Sequence, residues 1–401
     1  MKLNGQNIVI LGLPRVDSEI ESTNYTTAKL LAQHNRVYYV ENPFTLKDYF
    51  KRRNHTQGLL RKGYFSLFNT RLMSTDIPGL SVIVPPVLFS INFLPEGFLF
   101  RCALRVNEFL LAFKLKRMLK KYQVNDFIYI NSFNFHYPGL ANHLEPKMEI
   151  YHCLDPLVVD FDRKHGVVSE NMIIMRSDLV ICSSRKLYND KKILNNNTYF
   201  VPNAADLSHS SKVLDAELRV NEALQVFPKP IIGYFGAVER RIDYDLLKKV
   251  ARMNPDKTFV LVGPVQDVFI PDGFKREPNI KLIGAVPYSE MPSILKAFDV
   301  ALIPFKKDEV SSTIFPLKLF EYLGAGKPVV ATDFNPDLAE FTQHVVPFCA
   351  TAESFSQEIQ NALKEVSEVT VEQRLQIASA NTWEKRVGEI ADIIATKLFE
   401  K

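Results

Sequence analysis

Cysteine is scarce: Cys102, Cys153, Cys182 and Cys349 stand far apart in a chain of 401 residues. No two of them have the close spacing of a zinc site or a redox couple, so they read as structural thiols in a reducing compartment. Long apolar runs are missing as well. The first run, "IVILGL", is too short for a signal-peptide core or a membrane span, and no later run reaches spanning length. The expected location is therefore the cytoplasm. Several signatures are also absent. The first strand pattern leads into "GLPRVDSE" and not Gly-x-Gly-x-x-Gly, so a dinucleotide oxidoreductase lacks its fingerprint. Neither the P-loop pattern of kinases and NTPases nor the Gly-x-Ser-x-Gly elbow of hydrolases occurs.

What is present is core: 46% of the residues are apolar, enough for a large interior and too many for a single one. Short β-rich runs alternate with helical patterns: "NIVILGL", "RVYYVEN", "LSVIVPP", "DFIYINS", "MEIYHCL", "DLVICSS" and "TYFVPN", then "PIIGYFG", "TFVLVGP", "IKLIGAV", "DVALIPF", "KPVVAT" and "VVPFCA". That alternation predicts an α/β fold of two Rossmann-like domains, each a parallel sheet covered by helices. The polar stretch 206–228 lacks a strand signal and ends in Pro-Lys-Pro. It is placed as a linker between an N-terminal domain, 1–205, and a C-terminal domain, 229–381. Residues 382–401 read as an amphipathic helix packing across the junction. Parallel sheets bind ligands at the carboxyl ends of their strands, so the chemistry is expected in a cleft between the two halves.

The net charge of +4 hides an asymmetry: residues 1–205 carry 26 Lys+Arg against 17 Asp+Glu, and the remainder 23 against 28. The excess is concentrated in "KDYFKRRNHTQGLLRKGYFSLFNTR" and "FLFRCALRVNEFLLAFKLKRMLKKY", where basic residues are interleaved with Phe, Leu and Tyr. Segments of that mixture lie on anionic membrane surfaces, or they pack one face on a core and solvate the other. No nucleic-acid-binding module accompanies the charge, and nucleic acid is not an expected partner.

In "IFPLKLFEYLGAGKPVVAT", residues 314–332, Leu317, Phe320 and Leu323 recur at helical spacing, Gly324 and Gly326 stop the helix, and Pro328 forbids resumption. Glu321 sits in the helix body, too far from the first turn to be a cap. Taken alone it reads as a solvated surface residue. Its context is an ordered series. Gly233 and Gly236 stand in "IIGYFGAVERR", Gly263 in "LVGPV", and Gly284 with Val286 in "LIGAVPYSEMPSILKAFDVALIPF". Together with the glutamate helix, these roughly hundred residues resemble the nucleotide-sugar domain of glycosyltransferases of the two-Rossmann "B" architecture (GT-B). The likeness is greatest to bacterial polysaccharide-assembly transferases of the teichuronic acid and xanthan glucuronosyl type.

The resemblance implies a nucleoside diphosphate sugar as donor, UDP before GDP, and no cofactor. It implies that Glu321 accepts hydrogen bonds from the ribose hydroxyls, a task suited to a carboxylate that can take a vicinal diol with both oxygens. Ser311, Ser312 and Thr313 would bring backbone N–H groups and hydroxyls to the diphosphate at the helix start formed by Pro316 and Leu317. Arg240, Arg241 and Lys318 are candidates to stabilise the leaving diphosphate, or else surface cations. Retaining members carry a second glutamate eight positions before Glu321; Thr313 stands there, and Glu309 lies four residues further upstream. The stereochemical course stays open. The chain is read as having no Asp-x-Asp cation clamp, so metal-independent hexosyl transfer is expected.

On the acceptor side, Asp155 in "IYHCLDPLVVDF" is the preferred base, with a helix cap as its alternative. His136 in "YINSFNFHYP" is the second candidate, and His152 ranks below both. "VPNAAD", 201–206, resembles the family's hinge entry. The implied function is transfer to a glycan or polyprenyl-linked acceptor in surface polysaccharide assembly, on the inner face of the cell membrane. A nucleotide-sugar 2-epimerase of the same architecture and an inert scaffold are the rivals. The first would form an epimer without acceptor; the second would tolerate Glu321→Ala.

Overall fold

A computed structural model describes residues 3–17, 22–364 and 368–400. The chain divides into two compact units: residues 1–202 with 387–401, and residues 203–386. The division falls inside "VPNAAD". Residues 206–228, read from sequence as a linker, are part of the second unit, where Val213 and Leu224 are buried in its core. The final helix, Trp383–Glu400, begins in the second unit and belongs to the first from Val387 onward. Trp383, Val387, Ile390 and Ile394 form its buried stripe.

The first unit contains β1 (Asn7–Gly12), β2 (Arg36–Val40), β3 (Met73–Ser74), β4 (Leu80–Ile83), β5 (Ile128–Ser132), β6 (Met148–Cys153), β7 (Leu179–Cys182) and β8 (Thr198–Phe200). Their order is β3-β4-β2-β1-β5-β6-β7-β8, all parallel except the two-residue edge strand β3. Strands covered by helices on both faces are buried along their length and do not alternate; β1 from Ile8 onward, β5 and β6 have that character, β6 burying even Glu149 and His152. One face packs on the 24-residue helix Phe98–Lys121 through Phe100, Leu104, Leu111, Leu115 and Met118.

The second unit contains β9 (Ile231–Phe235), β10 (Thr258–Val262), β11 (Ile280–Gly284), β12 (Val300–Ile303), β13 (Val329–Thr332) and β14 (Phe348–Cys349). They form one parallel sheet in the order β11-β10-β9-β12-β13-β14. Numbered from β9, this is the Rossmann order 3-2-1-4-5-6, and the order reverses between β9 and β12. A crevice opens at the carboxyl ends where neighbouring connections leave in opposite directions. The ends of β9 and β12 are therefore where this unit can hold a ligand.

Candidate functional site

The helix Leu317–Gly324 is fixed against the end of β9 by its own Tyr322. That hydroxyl accepts from the Phe235 amide at 2.8 Å and donates to the Phe235 carbonyl at 3.2 Å. Leu319, Phe320 and Leu323 are buried with Tyr322 in the core of the unit. With the helix so anchored, Lys318 and Glu321, one turn apart, both come to the carboxyl end of the sheet.

Lys318 Nζ lies 2.8 Å from Tyr234 Oη, above the rings of Tyr234 and Phe305 at 4.3 and 5.1 Å. Gly236, at φ 148°, makes room for it: a Cβ there would come within 2.5 Å of the Lys318 ammonium. Gly263, at φ 145°, is as tightly placed, because a Cβ would come 2.1 Å from the Gly236 carbonyl oxygen. These contacts explain why strand-end glycines recur in this half of the chain. Burial, and next the Arg241 guanidinium, push the Lys318 ammonium down to about 7 despite the opposing pull of Glu321 and Glu239. Near neutrality this is a lysine ready to take up a proton when an anion arrives.

Arg241 stacks over Phe305 at 5.7 Å and donates to Glu239, so its charge is partly spoken for. Arg240 is exposed on the same loop. Glu321 is partly exposed and accepts from Tyr288 Oη at 2.7 Å. Tyr288 lies just beyond Val286, which is partly buried against the core. Tyr234, Tyr288 and Tyr322 are not marked by the strand-end pattern; Tyr322 did stand beside Glu321 in the motif itself.

The turn Ser311–Thr313 departs from expectation. The Ser311 amide is bonded to Asp308 Oδ1, those of Ser312 and Thr313 to the carbonyls of Asp308 and Val310, and the Ser312 and Thr313 hydroxyls to the carbonyls of Glu309 and Val310. Those amides hold the turn together and are not presented to a ligand. Thr313 is buried, and Glu309 is exposed. The buried Ser311 hydroxyl has no partner among the described residues. The following helix starts after Pro316 with no side-chain cap, so the open anion-binding end is at Leu317 and Lys318.

Residues 229–367 match the family model described as glycosyl transferases group 1. A protein of Bacillus subtilis strain 168, named as the teichuronic acid biosynthesis glycosyltransferase TuaH, is 30% identical over 243 residues, 54% of this chain and 60% of that protein. The chain thus aligns with less than two thirds of that relative's length. Among solved structures, sucrose-phosphate synthase of Thermosynechococcus elongatus superposes with a TM-score of 0.64 at 14% identity, covering 99% of this chain and 100% of that one. Anabaena HepE in complex with UDP and glucose gives 0.63 at 15%, covering 97% and 99%. The UDP-forming α,α-trehalose-phosphate synthase of Burkholderia vietnamiensis gives 0.67 at 10%, covering 98% and 99%. The fold is that of the GT-B glycosyltransferases.

In the first unit of this GT-B chain, both acceptor-side candidates follow neighbouring strands at the carboxyl edge. His136 comes after β5 and lines a cavity of about 610 Å³. Burial, and then His165, push its imidazole down to about 4, so it is neutral at pH 7. Asp155 is exposed after β6 and is not among the residues lining that cavity. His152 is buried within β6, and burial pushes it down to about 4.

A further expectation needs correction. Asp-x-Asp does occur, as Asp160-Phe161-Asp162 and Asp243-Tyr244-Asp245. The first pair sits in the opening turn of the helix Asp160–Arg176; in the second, Asp243 caps the helix Tyr244–Met253, with Asp245 in its first turn. Acidic residues at helix starts satisfy the dipole, which accounts for both stretches locally. Among the described residues no three His, Cys, Asp or Glu side chains converge as metal ligands. The basic stretches are not wholly surface either. Arg61 and Lys114 are each 1% exposed; Arg61 is bound to Glu41 and Asp17, and Lys114 donates to the Tyr64 carbonyl, with burial pushing its ammonium down to about 8.

Proposed function

We propose that this chain is a glycosyltransferase of polysaccharide assembly that moves a hexosyl group from UDP-sugar to a glycan or polyprenyl-linked acceptor, using side chains and no metal. The observation that carries the reading is the pairing of Glu321 and Lys318 at the sheet's switch point, beside an uncapped helix start. The carboxylate suits a ribose diol, and the ammonium and free amides suit a diphosphate. The group 1 match over these residues supports it, as does the UDP held by a structural neighbour.

Glu321→Ala removes the diol's acceptor. With charge-assisted bonds each contributing about 1.5–3 kcal/mol, UDP affinity should fall at least about tenfold. Calorimetric titration of UDP checks this, and an unchanged affinity would remove the residue from the donor site. Proton linkage gives a second expectation. Since free Lys318 titrates at about 7, UDP binding at pH 8 should take up roughly one proton, and affinity should weaken as pH rises above 7. The heat of binding in two buffers of different ionisation enthalpy measures the uptake; Lys318→Met should abolish it.

We further propose peripheral attachment to the inner face of the cell membrane. The outer stripe of the helix Phe98–Lys121 exposes Phe98 (81%) and Leu99 (69%), followed by Arg105, Val106, Phe109, Phe113, Lys116, Arg117 and Lys120. Phe68 packs edge-on to Phe113 with Arg117 over both rings. Among the described residues no helix is long and apolar enough to cross a bilayer. The protein should sediment with anionic vesicles, stay free of neutral ones, and be released by salt, because charges are screened beyond about 8–10 Å at ordinary ionic strength. Equal binding to both vesicle types would leave the basic residues without this role.

A further inference from the structure

The cavity of the first unit contains a histidine that the transferase reading has not yet used. His165 projects from the helix Asp160–Arg176 and is 8% exposed. Its ring lies flat on Phe100, with centroids 3.5 Å apart and planes 6° from parallel. Nδ1 is 2.8 Å from Glu96 Oε2. Arg101 clamps the same carboxylate through Nε at 2.7 Å and Nη2 at 2.9 Å, and reaches Ser169 Oγ through Nη1 at 2.9 Å. The ring is thus fixed in plane and in rotation.

The chemistry of the pair selects a tautomer. Burial acts to raise the Glu96 carboxyl, but the bonds from Arg101 and His165 hold it below the usual carboxylate range. It is an acceptor, so Nδ1 carries the proton and a neutral ring leaves Nε2 as a lone pair. Nε2 is buried and has no partner among the described residues. Buried ring nitrogens ordinarily find a hydrogen-bond partner. This one borders the 610 Å³ cavity that His136 also lines.

The rest of the lining tells what kind of molecule the cavity would take. Phe89, Phe93 and Phe161 also line it and are 50%, 77% and 60% exposed. Lys47, Lys51 and Arg52 line it from the helix Leu46–Arg52, and none makes an ion pair among the described residues. Asp48, the acid on that helix, is taken up by the Thr45 amide and hydroxyl. An apolar wall, free cations and one fixed lone pair fit a ligand with a hydrocarbon chain, a phosphate and a hydroxylated ring.

We propose that this cavity binds the phosphate-linked end of a lipid-borne acceptor, with Lys47, Lys51 and Arg52 on its phosphates and His165 Nε2 accepting a hydrogen bond from a hydroxyl of its sugar. The assignment rests on the transferase reading and adds a recognition residue to it. His165 distinguishes a sugar-bearing lipid from a bare lipid phosphate.

The test compares farnesyl diphosphate with farnesyl-diphosphoryl N-acetylglucosamine by calorimetry on the full chain. The sugar-bearing probe should bind at least about tenfold tighter, a gain of roughly 1.4 kcal/mol. His165→Phe, which keeps the stack on Phe100, should erase that gain and leave farnesyl diphosphate affinity unchanged. Lys51→Ala combined with Arg52→Ala should weaken both probes at least about tenfold. If His165→Phe does not fold, ring-nitrogen NMR of the unaltered protein decides: the sugar-bearing probe should shift Nε2 while Nδ1 stays protonated, and farnesyl diphosphate should not. A sugar gain that survives His165→Phe, an unperturbed Nε2, or no binding of either probe overturns the proposal. UDP titration on the same samples separates the two readings, since retained UDP binding leaves the donor site standing whatever the cavity does.

Discussion

Arg61→Ala should lower the stability of the first unit by about 3–5 kcal/mol, the range for removing one member of a buried ion pair. Arg61 forks onto Glu41 with Nε and Nη2 both at 2.6 Å, and onto Asp17 with Nη1 at 2.9 Å and Nη2 at 2.6 Å. The Glu41 side chain, directly after β2, is 1% exposed, so its charge would be left buried without its partner. Asp17 is held below the ordinary carboxylate range by Arg61 despite its partial burial, and loses that support too. Arg61→Lys should recover little, because an ammonium cannot serve two carboxylates in a planar fork. The single tryptophan, Trp383, belongs to the second unit, so its fluorescence would report the wrong transition. Hydrogen exchange of the β2 amides in urea follows the right one. Lys116→Ala, an exposed position in the same basic half, should stay within about 0.5 kcal/mol. A loss no larger in Arg61→Ala would mean that water reaches Glu41 once the arginine is gone.

That arginine also marks where the sequence was legible and where it was not. The apolar runs from "NIVILGL" to "VVPFCA" are strands in the structure because a buried parallel strand is mostly apolar and bounded by turns, a purely local property. The added strand, β3, is two residues long and is held by antiparallel pairing with β4, which no local pattern reveals. Gly236 and Gly263 could be picked out locally as strand-end glycines, whereas Glu321, which alone reads as a solvated surface residue, and Lys318 were singled out by the family likeness of their helix motif. Their partners were not: Tyr288 lies 33 residues from Glu321, Phe235 is 87 from Tyr322, and Glu96 is 69 from His165. Contacts of that separation depend on topology. Lys114 is an intermediate case. It falls between Leu111, Leu115 and Met118 on the buried stripe, so its period pointed inward while its charge suggested the surface.

The acceptor side carries the largest expected effect on turnover. We propose Asp155 as the group that takes the acceptor's proton, from its place after β6 and the likeness of "YHCLD" to the family strand that ends near the acceptor. Asp155→Asn keeps size and polarity but removes basicity, so turnover should fall roughly 10²–10⁴-fold while UDP affinity stays nearly unchanged. His136→Ala is the matched comparison and should show the smaller loss. Its imidazole, pushed down to about 4 by burial and by His165, is neutral at pH 7 but a weak base, suited to binding a hydroxyl more than to taking its proton. Both variants are measured at saturating donor, with nucleotide affinity and melting temperature determined separately. If Asp155→Asn retains turnover and His136→Ala loses it, the base is His136, and its place in the cavity lining becomes the deciding feature over the strand-end position of Asp155. If both variants remain active, neither group is the base, and the acceptor half of the mechanism has to be sought among other side chains while Glu321 and Lys318 keep their roles.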